Sequence, residues 1–484
     1  MAMTTDSKGE GLGGISPSWR TGRLAAILIA IVGFIAASAR AGELRVGAAS
    51  VKITPPTGIG MAGYYFERGA QGTNDDLFAK CIVLEQDGEQ AALVALDLIS
   101  TTRGMVEAAR AEIEKTAKIP GAHVMISATH AHTGPVLANR NSREDSQGGK
   151  ADLSRRYSAE LPGLIAESVR LAASRLQPAR ALAAVGRDDH LSFNRRYFMK
   201  DGSVGWNPGK KNPNVARPAG PIDPDVGVVL FEAARKKGPA EAVATYVNFA
   251  MHPDTVGGEL FSADYPGALS RRLAEYKGPD MLTVFANGTC GNINHIDVDW
   301  AGPQKGPQEA ARIGTILAAA VFQAYKELQP AKPGALRVRS EMVKLPLPEV
   351  QSDDVEKAKA ATARYDMKTN AGFNEKVQAY KVLDVAARNG KPHEVEVQVI
   401  ALGDDLAWVS LPGEIFVELG LAIKKASPFR QTMIAELANG SVGYIPNKEA
   451  YPQGAYEVVS TRCAEGSGEL LVETAVKLLK QLKQ

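Results

Sequence analysis

The sequence predicts an α/β fold: one large catalytic domain with mixed, largely parallel sheets, flanking helices, and an active site at the carboxyl ends of the strands. Three observations lead there. Short β-rich apolar runs alternate with amphipathic stretches of helical period. No internal repeat and no low-complexity linker divides the chain. Several of the apolar runs end in loops rich in His, Gly and Asn, where open α/β sheets bind their ligands.

Residues 1–41 are set apart. Arg20 and Arg23 precede the apolar run Leu24–Ala39, and Ala39-Arg40-Ala41 forms a small-residue cleavage site. The pattern predicts a signal peptide cleaved after Ala41 and a secreted or periplasmic protein. Left uncleaved, the same run would act as an anchor, although it is shorter than the roughly 20 residues a span needs. The catalytic domain is expected over 42–484.

The elements follow in order. Ala91–Leu96 reads as a strand and Thr102–Thr116 as a helix. Val124–Ser127 is a strand and Ser154–Leu176 a helix. Strands are expected at Val226–Phe231 and Val243–Phe249, a helix at Ala263–Tyr276, a strand at Leu282–Phe285 and a helix at Gln308–Glu327. A charged helical region spans 353–389. The strands Val395–Ala401 and Leu406–Ser410 are joined by the hairpin signal Gly403-Asp404-Asp405. A helix is expected from Glu414, a last strand at Met433–Leu437 and a last helix at Glu469–Lys483. Two stretches, Gly134–Ala151 and the Pro/Gly-rich Gly202–Pro224, look irregular; such loops either line a site or are exposed linkers.

Composition narrows the function. With 45% hydrophobic and 23% charged residues the chain is an ordinary globular protein. Its 56 basic and 54 acidic side chains give a net charge of +2 and no reason to expect nucleic acid as a partner. Three cysteines, Cys81, Cys290 and Cys463, cannot all pair with one another, and their spacing matches no metal motif. Cys81, in the run CIVL, reads as a buried small residue; one disulfide among the three stays open.

Five unusual loops each follow an expected strand. The first holds His130 and His132, the second Met251-His252-Pro253-Asp254, and the third runs from Asn287 through Asn294 to His295. The fourth is Leu411-Pro412-Gly413-Glu414 and the fifth Asn439 to Tyr444. Seven histidines serve the whole chain, and two of them fall two positions apart at a strand end. On extended backbone both imidazoles can face one cavity. His130, His252 and Glu414 then supply two nitrogens and a carboxylate to zinc, with a position left for water. Each has a plainer reading. A strand-end His is usually hydrogen-bonded structure, and Glu414 could be a first-turn helix acid. Tyr444 could be a half-buried aromatic. Asp97 could cap a helix or orient a ligand. His295, Asp297 and Asp299 form a further polar cluster, whereas His123, His190 and His393 have no context above an ordinary surface position.

At these loops the chain resembles the neutral/alkaline non-lysosomal ceramidases, zinc amidases that cut the N-acyl bond of ceramide. The motifs carrying the resemblance are Val46 to Pro55, Met61-Ala62-Gly63-Tyr64, Thr129-His130-Ala131-His132-Thr133-Gly134-Pro135, Asn194-Arg195, Phe249 to Pro253, Pro412-Gly413-Glu414, Tyr444-Ile445 and Tyr456-Glu457-Val458-Val459-Ser460-Thr461, spread over about 43–465. The resemblance implies zinc held by His130, His252, Glu414 and Tyr444. It also implies that His132, Arg195 and Tyr456 face the substrate carbonyl or the water. Asn294 stands where the family has a serine, and the family's C-terminal immunoglobulin-like domain is expected to be missing. An Asn can hydrogen-bond a carbonyl but cannot be a nucleophile.

The implied reaction is attack of zinc-activated water on a linear N-acyl amide. Tyr456 and Arg195 donate to the oxyanion, and His132 carries a proton to the amine with an untuned pKa. Asp254 or Asp264 is expected to fix a ligand imidazole. A lipid-like substrate would bring peripheral membrane contact. The rival readings are a zinc esterase or lactonase, a binding module that kept the fold without turnover, and a structural envelope protein holding no metal.

Overall fold

The computed structural model describes residues 42–138, 148–233, 240–332, 334–364 and 372–483. The expected signal segment and part of the Gly134–Ala151 stretch lie outside the described residues.

Eight longer strands build the main sheet: β1 (Arg45–Lys52), β2 (Phe78–Gln86), β3 (Glu89–Leu96), β4 (Val124–Ala128), β5 (Gln177–Arg187), β6 (Asp225–Ala233), β7 (Glu241–Phe249) and β8 (Leu282–Asn287). Their spatial order is β8-β7-β6-β5-β1-β2-β3-β4, with the short strand Gln329–Pro330 added beside β5. A second sheet has the order β9 (Leu336–Leu345), β10 (His393–Leu402), β11 (Leu406–Ser410), β12 (Gln431–Ala435). The sheets are mixed, as expected, but the parallel share is small among the described residues. Parallel pairing of these strands is confined to β3 with β4, β7 with β8, and β11 with β12. The other neighbours run antiparallel.

The layers follow from which faces are apolar. The inner faces of the two sheets meet in one core around Trp408, which is fully buried and sits edge-on to Tyr246 at 6.0 Å. The far face of the main sheet is covered by α1 (Arg103–Thr116) and α2 (Ala151–Ser174) on one half. α3 (Asp264–Lys277) and α4 (Pro307–Ala324) cover the other half. The far face of the second sheet is covered by α7 (Val417–Ala426) and α9 (Ser467–Lys483). The charged region becomes two helices, α5 (Ser352–Thr362) and α6 (Phe373–Ala386), and α8 is the short Ala455–Ser460.

This layering explains what periodicity missed. β2 is buried on both faces over most of its length, so Ala79 to Leu84 shows no alternation. β5 is Ala-rich and β9 is an edge strand with charged exposed positions, and neither carries a strong strand signal. Gly202–Pro224 is not structureless. It holds Val204–Trp206 and Val215–Pro218, which flank Arg196–Met199 in a three-stranded antiparallel sheet. The helix expected at Glu414 begins at Val417 instead, because Glu414–Ile415 first pairs in parallel with Tyr444–Ile445. All three cysteines are buried and unpaired, which closes the disulfide question. No helix among the described residues is long and apolar enough to cross a membrane.

Candidate metal centre

The parallel pairs place the chemistry. β4, β7, β8, β11 and β12 release their chains at neighbouring edges of the two sheets. The segment after β12 ties those edges together. Glu436 N–H donates to Asn287 O, Leu437 N–H to Gly413 O, and Asn439 N–H to Ile126 O. Leu437 and Asn439 take left-handed backbone, with φ of 52° and 57°, to make this crossing.

The expected metal residues converge. His130 Nε2 and His252 Nε2 each lie 3.3 Å from Glu414 Oε2. His132 Nε2 is 3.3 Å from His130 Nε2. The side-chain nitrogens of His130, His132 and His252 fall within 4.8 Å of one another. Tyr444 comes alongside through the register Glu414↔Tyr444, its ring parallel to His252 at 6.5 Å. The two loop histidines do not meet through extended backbone. His130 has φ 75°, and its N–H and that of Ala131 are pinned to Leu98 O. Such strain in a non-glycine residue persists only where its surroundings hold it.

A cation fits this donor set. A carbonyl oxygen only accepts, so His130 Nδ1, 2.6 Å from Ile99 O, carries its proton, and so does His252 Nδ1, 2.8 Å from Cys290 O. In the neutral rings both Nε2 atoms then present lone pairs to the same carboxylate oxygen. His252 Nε2 and Glu414 Oε2 are buried without a hydrogen-bond partner. Burial holds His252 at about 3, so it stays neutral near pH 7. Two imidazole nitrogens and a carboxylate oxygen converging as acceptors are what a divalent ion satisfies. The His130 and His252 rings are oriented by backbone carbonyls, not by the carboxylates expected from the sequence.

Around this cluster the buried charges are paired. Arg195 Nε donates to Glu457 Oε1 at 2.8 Å, and Arg196 Nη1 to Glu457 Oε2 at 3.0 Å. Arg195 Nη2 donates to Gly291 O at 2.7 Å and to the Tyr444 hydroxyl at 3.1 Å. Burial, with the Glu414 carboxylate nearby, holds the Tyr444 phenol well above its ordinary pKa. Tyr456 packs on Trp206 at 4.4 Å and edge-on to Tyr444 at 5.3 Å. The Gly202–Pro224 stretch thus contributes a wall beside the site through Trp206. His132 Nδ1 is 3.7 Å from Asp254 Oδ1, which accepts the Tyr64 hydroxyl. His132 is not untuned: burial holds it well below 6.5 against the pull of Asp254.

Other expectations are corrected. The Asn294 amide donates to Asn207 Oδ1 at 3.0 Å and its oxygen accepts Ile296 N–H at 3.0 Å. It braces a loop. Asp264 accepts the N–H groups of Thr255, Val256 and Tyr265 and touches no imidazole. Asp97 pairs with Lys80 at 3.3 Å and accepts Phe78 N–H, while Thr102 caps α1. His295 Nε2 donates to Gln304 O, and Gln304 braces Asp297. His393 is not a surface residue; it is buried and lines the cavity.

Three residues escaped the sequence reading. Glu457 neutralises two arginines, although it stood inside the Tyr-Glu-x-x-Ser-Thr motif. Glu436 accepts Cys290 N–H, Cys290 S–H and Ile415 N–H, joining the loops that carry His252 and Glu414. Cys290 supplies the carbonyl that orients His252. No sequence signal marked Glu436 or Cys290, whose bonds to each other span 146 residues.

No family profile matches the sequence, and no curated protein matches it. Solved structures do. A neutral ceramidase from Pseudomonas aeruginosa superposes with a TM-score of 0.71 at 21% identity, covering 91% of this chain and 75% of that one. A ceramidase complexed with C2 superposes with the same TM-score and identity, covering 91% of this chain and 76% of that one. The chain shares its architecture with neutral ceramidase.

Proposed function

We propose that the protein is an exported zinc-dependent hydrolase that cleaves a linear N-acyl amide. The observation that carries this reading is the convergence of His130, His252 and Glu414 through three acceptor atoms that a cation would satisfy. The ceramidase-like architecture supports the amide substrate. His130, His252 and Glu414, with Tyr444 beside them, would hold the zinc, which when bound would supply Lewis acidity and activate water near neutral pH. The Arg195 guanidinium, anchored by Glu457, holds the Tyr444 oxygen and places positive charge where an oxyanion would develop. His132, neutral and backed by Asp254, takes up a proton at Nδ1 or Nε2 and delivers it to the leaving amine. Tyr456 and Trp206 close the aromatic side and limit water entry.

The test is metal analysis of the purified chain followed by hydrolysis of a panel of N-acyl amides, with esters and lactones beside them. The expected result is about one zinc per chain and amide turnover that chelation removes. Turnover of esters alone moves the assignment to an esterase, and a chain that takes up no divalent ion ends the hydrolase reading. His132→Ala separates proton carriage from ligation: zinc retained with turnover lost is expected. For export, amino-terminal sequencing of the secreted protein should begin at Gly42; an intact Met1 would refute cleavage.

A further inference from the structure

The cavity over the metal cluster is about 820 Å³, a size that takes a small-molecule ligand. Its walls do not suit a long hydrocarbon. Among the described residues its aliphatic lining is Ile99, Ala387 and Val442, beside the phenol rings of Tyr65, Tyr444 and Tyr456. Burying a methylene returns about 0.8 kcal/mol only against apolar walls. Cations also line the cavity, and their pairing is uneven. Arg462 donates to Asp384, and Arg103 pairs with Glu107 and Glu396. The lining acid Glu394 faces Lys344 at 3.5 Å. Arg388 and Lys391 have no carboxylate partner among the described residues. Arg388 is also held in place, its Nε donating to Lys391 O at 2.9 Å and its Nη2 to Pro392 O at 2.6 Å. A guanidinium fixed this way loses little freedom on meeting an oxyanion.

We propose that Arg388 and Lys391 form an anion subsite, so that the substrate is an N-acyl amide bearing a carboxylate or phosphate away from the scissile bond. This rests on the hydrolase reading and names the substrate class of the same cavity. Wall charge and an oriented fork favour a charged, hydrogen-bonding end over a neutral lipid tail.

The experiment has two arms. In the first, the zinc-loaded full chain is given three amides that differ only at the distal end: a carboxylate, its methyl ester, and a phosphate monoester; ceramide is run beside them. The expected result is a kcat/KM at least about ten-fold higher for one of the anionic amides than for the methyl ester, one charge-assisted contact's worth. The two anionic arms tell carboxylate from phosphate. In the Arg388→Ala, Lys391→Ala double variant the preference collapses toward unity through KM. In the second arm, binding of plain glutarate and of inorganic phosphate to metal-free protein is measured by calorimetry, and one of them should bind the parent and not the variant. Equal turnover of acid and methyl ester, or ceramide as the best substrate, overturns the subsite and leaves the hydrolase reading standing. Variant-sensitive anion binding without hydrolysis of any amide supports the subsite and removes the hydrolase reading.

Discussion

Glu457→Gln tests how the site is held. The Glu457 carboxylate is fully buried and divides its oxygens between Arg195 and Arg196, whose side chains are 5% and 2% exposed. Glutamine keeps the size and one acceptor but removes the charge, so two guanidinium ions stay buried with no carboxylate against them. Breaking a buried pair from one side costs about 3–5 kcal/mol. Unfolding entropy of about 2.1 cal/mol/K per residue over roughly 440 residues gives about 0.9 kcal/mol/K, so the loss corresponds to about 3–5 °C in Tm. The assay is thermal unfolding of the metal-free chain, repeated with zinc bound. Arg196→Met in the same background removes one stranded charge and should recover part of the loss, since neighbouring sites do not add independently. A Tm within about 1 °C of the parent would refute the idea that Glu457 neutralises this pair of arginines.

Further outcomes follow from the same geometry. His130→Ala and His252→Ala should each abolish zinc uptake and hydrolysis, and full zinc occupancy by elemental analysis in either variant would remove that residue from the metal set. Gly413→Ala should weaken metal binding by about ten-fold or more with every ligand kept, because a Cβ there would lie 2.5 Å from Gly443 O and push Glu414 out of register with Tyr444. A competition titration against a zinc chelator reads this, and unchanged affinity would contradict it. Burial lowers His393 from 6.5 to about 4. The unfolded chain therefore takes up a proton that the folded chain refuses, and stability is lost as pH falls from about 6.5 toward 4. Denaturant titrations across that window should show a flatter profile for His393→Gln; identical slopes would count against the buried neutral imidazole.

Much of the site was legible residue by residue. His130, His132, His252 and Glu414 stood in loops after apolar runs, and a strand end followed by an unusual polar loop is a local signal. Arg195, Tyr444 and Tyr456 needed the family resemblance, because nothing in their immediate neighbourhood distinguishes them. Asn294 shows the limit of matching by position: it occupies the serine's place in the alignment of motifs, yet both ends of its amide are engaged by Asn207 and Ile296. β2 went unread because alternation exists only where one face of a strand meets water, and β5 and β9 because alanine and charged residues carry little strand signal.

By itself the sequence determined the α/β class, most of the helices, and the inventory of candidate metal-binding side chains, because period and residue type are properties of short windows. The tertiary structure alone decided that two mostly antiparallel sheets, and not largely parallel ones, bring those loops together, stitched by the left-handed turn at Leu437 and Asn439. It also decided which nitrogen of His130 and His252 carries the proton, through carbonyls of Ile99 and Cys290 that no nearby residue announces. The balance of charge along the cavity was settled the same way, by whether Asp384, Glu396 or, among the described residues, no carboxylate stands beside each arginine. Hydrogen bonds and ion pairs act over about 3 Å of space whatever the separation along the chain, so only folding can assign them.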